Sequence, residues 1–190
     1  MDTKTRFGKT QKLILFAFML FMLEAVQRLF LREYYLIFIS LGAAALMFIP
    51  FLARKLFNIT VPKDMQIAFV LFVAASMILG KVYNLYEIIP VWDKLLHIFS
   101  GVMLCVAGAR LAKCAKGFLF GLFAFCFSLA AGAVWEIYEY AVDTLFGLDS
   151  QIASSGISDT MLDLICDAGG ALLYLLYLRI KALTNNSSDT

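Results

Sequence analysis

The sequence predicts an all-α fold, a polytopic membrane helix bundle of six transmembrane helices. Three observations carry that expectation. The 190 residues are 62% hydrophobic with a mean hydropathy of +0.85, well above the roughly 45–50% apolar content of soluble domains. Charged residues, 16% of the chain, gather between long apolar runs instead of alternating with apolar positions as on a soluble amphipathic helix. The runs themselves are continuous and about 20 residues long, the length that crosses a hydrocarbon core.

Six runs meet that length, at about 13–31, 34–52, 65–82, 93–111, 118–146 and 159–177. Barrel strands would alternate over about ten residues, and helices satisfy their own backbone inside lipid. Pro50, Pro62 and Pro90 fall near run ends, where a missing N–H interrupts no helical bond. One membrane domain over 1–190 is expected, with residues 182–190 a disordered polar tail. The basic start (Lys4, Arg6, Lys9, Lys12) before the first run resembles a signal peptide. No small-x-small cleavage site follows promptly, so the run reads as a retained helix.

Basic residues near helix ends set orientation. With the N-terminus inside, twelve lie on the cytoplasmic side, and Arg28, Arg32, Lys81 and Lys94 outside. This division predicts N-in, C-in topology. The sequons at Asn58 and Asn186 then face the cytoplasm and are discarded. The bilayer is the expected partner, and no nucleic acid is. Cys105, Cys114, Cys126 and Cys166 lack CxxC spacing and read as packing residues, neither zinc ligands nor a disulfide framework. Gly117 and Gly121 form a GxxxG, and 168–171 is a small-residue patch; both suit close helix packing.

The acidic residues divide the other way, eleven of them in the outer half against four basic ones, a formal −7 that should attract cations. Helix spacing concentrates them. Glu136, Glu139 and Asp143 share one face, Asp159, Asp163 and Asp167 another, and Asp93 with His97 a third. Counting back about 20 residues from Arg179 puts Asp159 at the outer boundary, with Asp163 roughly 6 Å and Asp167 roughly 12 Å deeper. Asp93, His97 and Glu136 reach a similar level. An ionised group at mid-membrane costs at least about 2.5–3.5 kcal/mol, so these side chains should face protein or water.

Some members have structural readings: Ser158 and Asp159 as an N-cap and first-turn acid, Asp149 as a solvated loop residue, and Glu24 with Arg28 as an i,i+4 pair. Arg28 and Arg32 could alternatively hold an anionic headgroup. Asp163 and Asp167, below the first turn of an apolar run, are hardest to explain by packing. Clustered carboxylates with the single imidazole suit a divalent cation such as Mg²⁺, Mn²⁺, Ca²⁺ or Zn²⁺, or equally a proton relay.

At these residues the chain resembles the YjdF-type family of uncharacterised bacterial membrane proteins, which implies a multi-pass protein of the bacterial cytoplasmic (inner) membrane. The match rests on Asp93-Lys94-x-x-His97, Trp135-Glu136-x-x-Glu139 with Asp143, Gln151, and Asp159-x-x-x-Asp163-x-x-x-Asp167 with Gly170. More distantly it is similar to VanZ-like proteins, which are associated with glycopeptide resistance and the cell envelope. It departs from their pattern at Glu139 and Asp167 and lacks their Arg in 147–157.

Three functions stay open. The first is an envelope enzyme or binding protein with a lipid or lipid-linked phosphate substrate. In it His97, Glu136, Glu139, Asp163 and Asp167 are metal ligands, Asp93 orients His97 or acts as a base, and a metal-activated water serves as nucleophile. The second is a small cation- or proton-coupled transporter carried by Asp163 and Asp167. The third is a non-catalytic membrane partner or sensor whose acids pair among themselves.

Overall fold

The computed structural model describes residues 8–112, 114–146 and 156–188. Every regular element among them is helical. Among the described residues five helices are long and apolar enough to cross a membrane, and a bent pair supplies a sixth span if counted as one. The chain packs as two compact units, Met1–Trp92 and Asp93–Thr190.

In the first unit α1 (Lys9–Leu31) packs along α2 (Tyr34–Leu46) and against α4 (Lys63–Val73). Their shared core is Ala17, Phe21, Ala43, Ala44, Met47, Val70 and Val73. The small Ala43 and Ala44 let the backbones approach, and Phe21 fills the space between helices. The turn from α1 to α2 runs through Arg32 in the left-handed region (φ 61°), where the Glu33 N–H donates to the Arg28 carbonyl.

The second span departs from expectation. It is not a straight helix over 34–52. α2 ends at Leu46, and α3 (Ile49–Phe57) follows at a bend of 46°. Pro50, expected near a run's end, stands in the first turn of α3. It has no N–H for the Leu46 carbonyl and disfavours helical geometry just before it. The backbone tightens to three-residue bonds there, from Met47 N–H to Ala44 and from Phe48 N–H to Ala45.

The third span begins as α4 and continues as a π-helical segment, Ala74–Val82. Wide turns of this type loosen the carbonyl ladder, and the Trp92 indole N–H donates to the Ala75 carbonyl at 3.3 Å. Ser76 and the Tyr86 hydroxyl, on the short α5 (Leu85–Ile88), hydrogen-bond at 3.1 Å. Gly80 lies so close to the Tyr86 ring that a Cβ would collide with it.

The second unit holds α6 (Trp92–Leu111), α7 (Gly117–Phe146) and α8 (Ile157–Ser188). α8 is helical through Ser188. The close approaches lie elsewhere than at the GxxxG. Nothing lies within 4 Å of a Cβ built on Gly117, which opens α7 at φ 55°, and Gly121 meets only Leu175 at 4.0 Å. Gly101 of α6 abuts the Asp167 backbone, Gly170 of α8 abuts the Ile98 carbonyl, Gly108 abuts Ala124 and Phe127, and Gly132 of α7 abuts the Asp167 carboxylate. Ala171, in the small-residue patch of α8, is fully buried with Cys105 and Ala124. Large apolar side chains such as Leu95, Ile137, Leu162 and Leu172 point outward, as lipid-facing positions should.

A carboxylate, lysine and histidine centre

The buried stripes of the last three helices converge. On α6 the stripe is His97, Gly101, Cys105 and Gly108; on α7 it is Ala124, Ser128, Gly132 and Glu136; on α8 it is Asp159, Asp163, Asp167 and Gly170. Steps of three and four residues keep each set on one helix face. One end of each stripe is small and tightly packed, and the other carries ionisable groups.

Asp167, fully buried, is the anchor. Its Oδ2 lies 3.2 Å from His97 Nδ1, and its Oδ1 accepts a hydrogen bond from the Ser100 hydroxyl at 2.5 Å. The cradle depends on Gly132, whose missing side chain leaves the space Asp167 occupies. Nearby, Ser128 donates to the Gly101 carbonyl at 2.9 Å, tying α7 to α6.

With Nδ1 held by Asp167, the other imidazole nitrogen faces the opposite way. His97 Nε2 lies 3.7 Å from Asp163 Oδ1, 3.8 Å from Glu136 Oε1 and 3.9 Å from Asp93 Oδ1. These spacings are longer than hydrogen bonds. Asp93, His97 and Asp163 offer ligand atoms that all lie within 4.8 Å of one another, a group that could hold a metal ion.

Lys94 completes the centre. Its ammonium donates to Asp159 at 2.6 Å, Asp163 at 2.7 Å and Asp93 at 3.1 Å. A buried carboxylate is tolerated when paired and hydrogen-bonded, and one lysine supplies that for three acids from two helices. With His97 protonated, Asp93, Glu136, Asp159, Asp163 and Asp167 still outweigh the two cations by three formal charges.

Sequence reading thus assembles most of the centre. Asp93, His97, Glu136, Asp159, Asp163 and Asp167 come together. Glu139 and Asp143 sit further along α7, both partly exposed, and the carboxylate that α7 gives His97 is Glu136. Gln151 and Asp149 lie outside the described residues. Asp167, expected among the ligands, touches Nδ1, and Asp93 stands on the Nε2 side. Ser158 lies inside the first turn of α8 and not at its N-cap, because the helix begins at Ile157. Lys94 enters the sequence reading as a sidedness marker and a motif letter; its place beside Asp93 and one turn from His97 was the available signal. Ser100, three residues after His97, carried none.

Fold and site define a class: a polytopic helical membrane protein with an ion-paired carboxylate, lysine and histidine centre among its last three helices. The chain belongs to the DUF2238 family of predicted membrane proteins, which it matches over residues 10–182. It is also similar to an uncharacterized protein of Thermotoga maritima, 28% identical over 128 residues, 65% of this chain. That alignment spans 66% of the relative's length, just under two thirds. No solved structure matches the chain.

Proposed function

We propose that this is a bacterial inner-membrane protein whose centre binds a divalent cation from the extracytoplasmic side and, through it, the phosphate of a lipid or lipid-linked envelope substrate. The observation that carries this reading is the double use of His97. A metal-binding imidazole is typically oriented by a carboxylate on its second nitrogen, and Asp167 occupies that position at 3.2 Å. Three carboxylate oxygens then stand 3.7–3.9 Å from Nε2, beyond hydrogen-bonding range. Ligand atoms about 2.0–2.4 Å from a shared cation would stand at about this separation or slightly closer. In this reading Asp93, His97, Asp163 and Glu136 are the ligands, and Asp159 with Lys94 forms the flank. The excess negative charge supports a cation, and the unfilled coordination positions of such a site are what a phosphate oxygen would take. The VanZ-like motif resemblance points to the same cellular setting.

A second reading has its own observation. Lys94 already bridges Asp93, Asp159 and Asp163, so the network could serve as a proton relay or as a structural clamp with no metal. Purified protein in detergent separates them. At a hundredfold excess over Kd a ligand stabilises the folded state by about 2.7 kcal/mol, several degrees of midpoint. Mn²⁺, Mg²⁺, Ca²⁺ or Zn²⁺ should raise the thermal midpoint of wild type. His97→Ala and Asp163→Asn should each abolish most of the rise, whereas Glu87→Gln, on the exposed part of α5, should leave it intact. Absence of any metal response between about pH 6 and 8, or responses of the two site variants equal to wild type, would hand the centre to the relay or clamp.

A further inference from the structure

Where the second span breaks, residues of α1, of the bend, of α3 and of the start of α4 line a half-open cavity of about 430 Å³. That lies within the roughly 300–1,000 Å³ of ligand pockets. Its belly is apolar, lined by Ile14, Leu15, Phe18, Met47, Phe48 and Phe51. Its polar lining consists of Gln11, Arg54, Thr60 and Gln66. Two of these are committed to the backbone: Gln11 accepts from the Gly8 N–H at 2.8 Å, and Gln66 donates to the Val61 carbonyl at 2.7 Å. Arg54 is exposed in the last turn of α3. No carboxylate is among the lining residues described.

The charge around it is mainly basic. Lys9 and Lys12 stand at the start of α1, Arg54 and Lys55 at the end of α3, and Lys63 at the start of α4, against the single acid Asp64. α3 has no buried residue, and it exposes Phe51, Leu56 and Phe57 beside its basic pair. Short basic helices with that composition lie in the membrane interface and draw anionic lipid. Leu15, Phe48 and Phe51 line the cavity and are also about half exposed, so an occupant can enter sideways from the bilayer.

We infer that this cavity holds one anionic phospholipid of the surrounding membrane, its acyl chain against Phe18, Met47 and Phe51 and its phosphate at Arg54. A soluble anion would make no use of the apolar belly, and an uncharged lipid would make none of the arginine. The inference concerns the first unit and stands independently of the cation centre.

The full chain, delipidated in dodecyl maltoside, is titrated with mixed micelles of dioleoylphosphatidylglycerol or dioleoylphosphatidylcholine. Binding is read by native mass spectrometry and by thermal midpoint. Phosphatidylglycerol should bind about tenfold more tightly than phosphatidylcholine, and Arg54→Gln should weaken it about five- to tenfold. Arg54→Lys should retain most of the affinity. Lys55→Gln, whose native ammonium lies over the Phe51 ring at 6.0 Å, should stay within about twofold. Leu15→Trp, which fills the belly, should weaken binding of both lipids. Equal affinity for the two lipids, or an Arg54→Gln variant that binds as wild type does, overturns the inference. Displacement of phosphatidylglycerol by inorganic phosphate alone would overturn it too, by reducing the site to one for a free anion.

Discussion

Lys94 and Arg28 solve the same problem in the two units: each is a cation placed where carboxylates would otherwise be buried alone. Arg28 donates from Nε to Glu24 at 2.8 Å and from Nη1 to Glu33 at 2.7 Å, and the Tyr83 hydroxyl donates to the other Glu24 oxygen at 3.2 Å. The i,i+4 spacing of Glu24 and Arg28 made that pair legible in the sequence. Glu33 and Tyr83 were not, because long side chains reach partners that spacing along one helix does not register. The asymmetry of partners sets an order of stabilities. Arg28→Gln should lower stability by about 3 kcal/mol, since it leaves the buried Glu24 without its cation. Glu24→Gln should cost less, because Arg28 keeps Glu33. The double variant should recover part of the loss of Arg28→Gln. Thermal midpoints of the three in detergent check the order, and strictly additive losses would show that Glu24 and Arg28 answer to separate partners.

At the level of elements, periodicity revealed which helix faces carry acids, and it did so because three- and four-residue steps are a property of the chain alone. It could not show which glycines meet a neighbour. Gly117 and Gly121 have the familiar spacing but open surroundings, whereas Gly132, in no paired motif the sequence advertised, lies against Asp167. Packing partners depend on helix rotation and crossing, which arise only when the helices assemble. Gly132→Ala should therefore cost about 1–3 kcal/mol by overpacking and should also disturb the Asp167 contact to His97. Gly121→Ala should be neutral or stabilise by up to about 1 kcal/mol through helix propensity. Midpoints of the two variants, measured side by side, check this. A harmless Gly132→Ala would show that α7 can rotate or shift without loss, contrary to the tight seat seen for Asp167. The break at Pro50 is a related case: a proline near the end of an apolar run and one that divides it look alike until the carbonyl it orphans is identified.

For the whole molecule, apolar run length announced the membrane class, because hydrocarbon thickness imposes it on any spanning helix. No linker of distinct composition separates the two compact units in the sequence, so their division leaves no mark there. Sidedness rests on the distribution of basic residues and is open to direct measurement. In a chain whose native cysteines are replaced, Ser154→Cys should react with an impermeant thiol reagent in intact cells, whereas a chain retaining Cys114 alone should react only after permeabilisation. The reverse pattern would place the carboxylate centre toward the cytoplasm and remove the envelope substrate from the proposal, leaving the cation chemistry to stand or fall by its own test.

The π-helical stretch Ala74–Val82 bears on how this sequence can change length. A chain with one residue fewer there would close into ordinary α-helical turns. The residues after the deletion would then stand at a different angle around the helix axis. Tyr86 would leave Ser76 and Gly80, and Trp92 would leave the Ala75 carbonyl. A point substitution leaves the angular phase of this stretch in place, whereas an insertion or deletion alters the phase of all that follows.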